Sequence, residues 1–376
     1  MDDQSLSVFA WGDPSDPRTF SGYSANLTQS LRSCGLIRNE YSAKNIKLID
    51  ALSGAITISR KKNKLFEVSR RWMWSRGGRK RLGNRVSRKI LNANDCGPVL
   101  QIGTLIELHP DCGDHYMLTD MTIPQAVKAG HFPVSKLSSQ ELENVIREER
   151  RIIATAKHIF AISEWTKRSI VNDLGVDEQN VTVIYAGSNL NAKAAPDFRR
   201  SSKSILFVGI DWERKGGPIL IEAFKLVRQR VPSANLRIVG CSPEITEPGV
   251  QIVGFLDSRD TSQKKSLLNE FLSASCFCLP TLFDPFPNVL IEAGSVGLPA
   301  IAFDNGSRRE VIVDEVTGVL AKRETASELA EAIVDVIKND DRCAAMGKAA
   351  WTHINSNFTW DIVVSKISNV LRCAAR

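Results

Sequence analysis

Two carboxylates eight positions apart, Asp284 and Glu292, lie in the segment FDPFPNVLIEAGSVGLPAIAF, residues 283–303. An apolar run ends at Leu282, Asp284, Pro285 and Pro287 form a turn, and a helix is expected to open near Asn288. The first N–H groups of such a helix, those of Asn288, Val289 and Leu290, have no intrahelical acceptor, and the positive end of the helix dipole favours an anion there. Asp284 precedes the helix and Glu292 sits about one turn inside it, so both can face one ligand and accept hydrogen bonds from hydroxyls. Phosphate joined to a polyol is what a nucleotide sugar presents. The same residues also fit a plainer role, Asp284 as a helix-start acid and Glu292 as a core-edge residue. A second segment, FVGIDWERKGG at 207–217, ends a strand at Gly209 and follows it with Arg214, Lys215, two glycines and a helix. Glycines let a backbone approach phosphate and the two cations neutralise it; a surface turn would look the same.

These segments must be held by something, and the chain alternates short apolar runs with helical stretches. Strand-like runs fall at 6–12, 99–108, 116–122, 158–163 and 180–187, with helices at 22–34, 138–156 and 164–175. A polar stretch without periodicity, NLNAKAAPDFRRSS at 189–202, reads as a linker. The alternation then restarts, with strands at 204–210, 235–240, 250–256, 276–282 and 299–304 between helices at 218–232, 262–275, 288–297 and 326–340. Such alternation predicts an α/β protein with parallel sheets covered on both faces. Two halves of this kind give two Rossmann-like domains facing across a cleft, one over 1–188 and one over 203–355, joined by a linker over 189–202. In open parallel sheets ligands sit at the carboxyl ends of the strands, where both segments above lie.

Composition narrows the class. The chain has 376 residues, 43% hydrophobic and 24% charged, which excludes whole-chain disorder. No run approaches the ~18–20 apolar residues of a membrane span, and the acidic start MDDQSLSVFAWG does not read as a secretory leader. A cytoplasmic protein is expected. The eight cysteines are scattered without a CxxC pair, so they read as reduced thiols rather than zinc ligands. The net charge of +7 is local: residues 59–90 hold 13 Lys/Arg and only Glu67 as an acid, a +12 insert in an otherwise mildly acidic chain. Trp72, Met73 and Trp74 lie inside it. Basic residues with embedded aromatics suit an anionic membrane surface, at on the order of 1 kcal/mol per cation. That would dock the protein peripherally on the inner face of the membrane. A phosphorylated acceptor or a solvated surface segment fits as well, whereas nucleic acid is disfavoured because no nucleic-acid motif accompanies the charge.

Taken together, the pattern resembles the retaining nucleotide-sugar glycosyltransferases of family four (glycosyl transferases group 1), which have the GT-B fold. The resemblance rests on VG…RKGG, on Asp284 and Glu292 with seven residues between them, on Gly297-Leu298-Pro299 and on DNGSRREVI…VTGVL. It extends back through FAISEWTKRSIVNDLGVDEQNVTVIYAGSNL and includes the glycine-bearing stretch WGDPSDPRTFSGYSANLTQSL near the start. It implies that Lys215 and Arg214 bind the donor pyrophosphate, that Asp284 contacts hydroxyls of the transferred sugar and that Glu292 binds the ribose hydroxyls. Asn288 and Val289 would offer backbone N–H groups to the phosphate, and Gly22 would give the first-domain loop room near the reacting sugar. Asp120 best fits the position of a residue orienting sugar or acceptor, with His109 and His115 as nearby competitors. It further implies a final helix, 356–376, packed back on the first domain, and catalysis without a metal or other cofactor. The expected activity is transfer from a nucleotide diphosphate-sugar to a glycan or lipid acceptor in cell-surface polysaccharide biosynthesis; a non-catalytic nucleotide-sugar or polyanion binder is the alternative. Two positions depart from the family pattern: Asp284 stands where Glu is usual, and Ile210 where many relatives carry Arg directly after the strand glycine.

Overall fold

The computed structural model describes residues 5–43, 76–95, 97–104, 106–130, 137–190, 195–257 and 259–374. It divides into two compact units, one made of Met1–Tyr185 with Val363–Arg376, the other of Ala186–Ile362. The first unit holds a six-stranded sheet of β1 (Leu6–Ala10), β2 (Ile37–Ser42), β3 (Val99–Ile102), β4 (His115–Thr119), β5 (His158–Ala161) and β6 (Val181–Val183), ordered β2-β1-β3-β4-β5-β6. Every pairing is parallel. β1, β3 and β4 are buried along their whole length, because helices cover both faces. The helix Ser139–Ile153 opens with a reciprocal cap, Ser138 Oγ accepting from Glu141 N (3.3 Å) and the Glu141 carboxylate accepting from Ser138 N (2.8 Å). Its Ile152 and Ile153 pack with Met117, Ile159 and Ile170.

Three expectations change in this unit. The run 99–108 is strand only as far as Ile102: Gly103, at φ +104°, turns the chain, and Ile106 and Leu108 leave the sheet. Both pack instead against Leu82, Val86 and Ile90 on the helix Arg76–Asn92, together with Phe9, Val99 and Cys112. The second half of the basic stretch 59–90 is therefore a core helix linking β2 to β3, built on an apolar stripe at i, i+4 and i+8 that its many cations obscure. Residues 59–75, with Trp72, Met73 and Trp74, lie outside the described residues. The third change is β2 itself, which carries no apolar alternation and was not expected.

The second unit has the sheet order β12-β11-β10-β7-β8-β9, again parallel throughout. Its strands are β7 (Ser204–Val208), β8 (Asn235–Val239), β9 (Val250–Gly254), β10 (Cys276–Leu279), β11 (Ala300–Phe303) and β12 (Gly318–Ala321). The helices Gly217–Arg230 and Ala326–Lys338 pack on each other, the second burying Leu329, Ile333, Val336 and Ile337 behind a Thr325 cap. The described part of the stretch 189–202, residues 189–190 and 195–202, is no loose tether. It belongs to the second unit, and the buried Arg200 donates to the carbonyls of Phe271 (2.8 Å), Ala274 (3.0 Å) and Val296 (2.6 Å). The crossing falls earlier, between Tyr185 and Ala186. The last helix, Trp360–Ala374, carries its residues from Val363 onward in the first unit, where Lys366 Nζ donates to Val183 O (2.9 Å).

Both sheets reverse their strand order once, at β1/β3 in the first and at β7/β10 in the second. Such switch points leave a crevice at the carboxyl ends of two adjacent strands.

Candidate functional site

The loops after β7 and β10 meet at the second switch point. Gly216, at φ +78°, caps the helix Gly217–Arg230, and a side chain there would collide with the Pro280 carbonyl. Only glycine lets the two loops come this close. Thr281 Oγ1 donates to the carbonyls of Arg214 and Phe283, at 3.0 Å to each. Arg214 Nη1 donates to Phe283 O (3.3 Å), while its Nε pairs with Asp211 Oδ2 (3.2 Å). Lys215 Nζ forms an ion pair with Asp284 Oδ2, both side chains largely withdrawn from water. One loop thus delivers two cations and the other the carboxylate that pairs with Lys215.

Beneath this pair sits Arg308, 1% exposed. Its Nη2 donates to Thr281 O (3.1 Å) and its Nη1 to Asn305 O (2.6 Å), so it ties the β10 loop to the loop after β11. Burial pulls this guanidinium down to about 10, against the raising influence of Asp284 and Glu324. Ser307 Oγ adds a bond to Pro285 O (2.6 Å).

The helix Asn288–Ser295 starts after Pro287 with no side-chain cap. Leu290 N donates to Pro287 O (2.9 Å), which removes it from the expected set of open donors. Among the described residues nothing accepts from the N–H groups of Asn288 and Val289. One turn on, Glu292 Oε1 accepts from Asn189 Nδ2 (3.0 Å). Burial pushes its carboxyl above the ordinary glutamate value, while Asn189, Lys215 and Lys264 pull it back down. Lys215 is therefore ion-paired to Asp284 and within the electrostatic reach of Glu292. Arg214, Lys215, Asp284, Asn288, Val289 and Glu292 are all brought together here. Ile210, in place of the usual Arg, is 74% exposed on the same edge.

The other two residues, Gly22 and Asp120, belong to the first unit. Phe20, Ser21 and Gly22 have φ of +54°, +54° and +83°, three successive left-handed residues before the uncapped helix Tyr23–Ser33. Tyr23 donates its hydroxyl to Tyr185 O (2.8 Å), and its phenol is raised well above its ordinary value by burial and then by the nearby Asp120 carboxylate. Gly22 and Asp120 are thus neighbours around Tyr23. The loop holding Asp120 is anchored by Thr166 Oγ1 on the Asp120 carbonyl (2.5 Å) and by Glu149, whose Oε2 accepts from Ile123 N (2.8 Å) and whose Oε1 accepts from Thr104 Oγ1 (2.9 Å). The competing histidines have structural roles. His115 is buried against Gln101 Oε1 (3.2 Å), and burial lowers it to about 4. His109 Nδ1 accepts from Asp111 N (3.3 Å), capping the turn Pro110–Cys112.

Asn189 and Arg308 were missed as site residues. Asn189 lay in a stretch read as a linker, and Arg308 in the glycine loop DNGSRREVI, where an Arg pair looks solvent-facing.

Residues 189–353 match the family described as glycosyl transferases group 1. Among curated proteins, phosphatidyl-myo-inositol mannosyltransferase of Mycobacterium tuberculosis H37Rv is 30% identical over 231 residues, covering 57% of this chain and 59% of that protein. D-inositol 3-phosphate glycosyltransferase of Paenarthrobacter aurescens is 27% identical over 231 residues, 56% of each. The chain thus spans less than two thirds of these relatives' length. Sucrose-phosphate synthase of Thermosynechococcus elongatus superposes with a TM-score of 0.69 at 16% identity, over 99% of this chain and 100% of that one. Anabaena HepE, solved with UDP and glucose, gives 0.67 at 16% identity over 98% and 100%. The segment 189–353, which carries the Lys215–Asp284 pair, matches the glycosyl transferases group 1 family, and the two parallel Rossmann-like sheets are those of the GT-B fold.

Proposed function

We propose that this chain is a retaining glycosyltransferase that moves a sugar from a nucleoside diphosphate sugar to a glycan or lipid-linked acceptor of a cell-surface polysaccharide. The observation that carries this reading is the Lys215–Asp284 pair at the switch point, set beside a helix whose first N–H groups have no cap. Cations and open amide donors suit a diphosphate, and acids at the same helix end suit hydroxyls. HepE, which shares the fold, was solved with UDP and glucose, and two relatives are named for phosphatidyl-myo-inositol and D-inositol 3-phosphate. These names support the donor class and an acceptor carried on a polar headgroup.

In this reading Arg214, Lys215 and the Asn288 and Val289 amides hold the diphosphate and stabilise the charge that grows on it as the bond from the sugar C1 to phosphate breaks. Asp284 holds hydroxyls of the transferred sugar, Glu292 the ribose, and Gly22 gives its loop room by the phosphates. The acceptor oxygen bonds to C1 on the face the phosphate leaves, and its proton passes to the departing phosphate oxygen. Asp120 orients the acceptor. No metal or cofactor is proposed; among the described residues no three His, Cys, Asp or Glu side chains converge as a metal site.

A panel of UDP- and GDP-sugars tests the reading. Nucleoside diphosphate release is expected from at least one donor, falling at least 100-fold in Lys215→Ala and Glu292→Ala, about 3 kcal/mol of lost transition-state stabilisation. NMR of the product should give the donor's anomeric configuration. Tight donor binding with no release from any sugar would mark a binding protein instead.

A further inference from the structure

We propose that Asn189 is a positioning residue for the donor: its side-chain amide aims the Glu292 carboxylate at the ribose diol of a nucleoside diphosphate. The proposal rests on the donor reading above and adds a residue to it. Asn189 Nδ2 donates to Glu292 Oε1 (3.0 Å), and among the described residues Glu292 Oε2 accepts no hydrogen bond. One carboxylate oxygen is thereby fixed and the other left for a hydroxyl donor.

Both partners of this contact are held by the same two serines. Ser188 Oγ and Ser295 Oγ are 2.9 Å apart, Ser295 Oγ donates to Glu292 O (2.8 Å), and Trp360 Nε1 donates to Ser188 O (3.1 Å). The residue before Asn189 and the backbone of Glu292 therefore move together. The amide's own chemistry points the same way. Asn189 Oδ1 is buried without a hydrogen-bond partner. Turning the amide over would press that oxygen against a carboxylate, so the orientation is set by Glu292 at the expense of an unsatisfied acceptor. A residue present only to fill space would not need a donor there. The charged groups facing Glu292, Lys215 and Lys264, act in the same sense as the amide and favour the ionised acid.

Calorimetric titration with UDP and GDP, and with their 2′,3′-dideoxy counterparts, tests this in the wild type, Asn189→Leu, Asn189→Asp and Glu292→Gln. The wild type is expected to prefer the ribose form of whichever nucleotide binds. Asn189→Leu should lose about tenfold of that preference while its affinity for the dideoxy form stays unchanged. Asn189→Asp, of the same size, sets a second acid beside Glu292 and should regain ribose preference only at a higher pH than the wild type needs; it carries the test if Asn189→Leu fails to fold. Equal weakening of both forms, or an intact preference, in Asn189→Leu would overturn the proposal. An intact preference in Glu292→Gln would overturn the assignment of Glu292. Failure of UDP and GDP alike to bind the wild type would overturn the donor reading and this proposal with it.

Discussion

Arg308 is a cation almost cut off from water, and its partners are carbonyls of two site loops rather than a carboxylate. It spans the β10 and β11 loops with donors fixed in one plane, which no aliphatic residue can imitate. Arg308→Met should leave the Thr281 and Asn305 carbonyls unsatisfied, costing about 2 kcal/mol in urea unfolding. Turnover of the donor should fall further than stability alone explains, because Asp284 hangs from the same loop. Arg308→Lys should recover part of the stability and little of the turnover. The sequence shows two adjacent arginines; nothing in it says that one of them is buried. Asp284, Glu292, Arg214 and Lys215 were legible as a group that the fold brings together, because type and spacing mark them. Asn189 and Arg308 were not, because each acts through a distant residue.

At the scale of elements, β2 illustrates what periodicity misses. Its anchor is Asp95, a buried carboxylate in the turn after the helix Arg76–Asn92. Asp95 accepts from Arg38 Nε (2.6 Å), Asn39 Nδ2 (3.0 Å) and Tyr41 OH (2.9 Å) on β2 and from Ser7 Oγ on β1. Burial pushes its carboxyl up, but these donors outweigh burial and hold it below the ordinary aspartate value. A group depressed in this way stabilises the fold fully above its unfolded value of about 4 and loses that contribution as pH falls through the lower folded value. The wild type should therefore show a falling urea midpoint over that acidic window. Asp95→Asn should be destabilised by about 3 kcal/mol at neutral pH and show a flatter acid limb; an unchanged slope would remove Asp95 as the anchor. The buried strands, by contrast, were legible, since an apolar run between helices leaves few alternatives. The helix Arg76–Asn92 was hidden because its +7 charge swamps the Leu82, Val86, Ile90 stripe.

At the scale of the whole molecule, two sheets with one order reversal each were predictable as a class from the strand–helix alternation. The crossing point was not, because a polar run such as 189–202 looks alike whether it spans open solvent or wraps a unit and buries an arginine. The long basic stretch belongs to this scale as well. Arg76, Lys80, Arg81, Arg88 and Lys89 are exposed on the helix whose other face is core, and among the described residues no helix is long and apolar enough to cross a membrane. Sedimentation with vesicles should give binding that rises with anionic lipid and falls with salt. Charge reversal at Lys80 and Arg88 should weaken it several-fold without lowering the melting temperature. Equal binding to neutral vesicles would dismiss the surface.

The ion pair between Lys215 and Asp284 has an effect on the order of events. In this structure the two groups satisfy each other: the ammonium has an anion, and the acid has a cation. In the donor reading proposed above, a diphosphate would compete for the lysine, and its success would release the aspartate as a sugar hydroxyl arrives to take its place. Plain inorganic phosphate would make the first exchange but not the second, leaving a stranded acid behind. In that reading the pair would favour a ligand bearing both groups over a plain anion, with no gate needed.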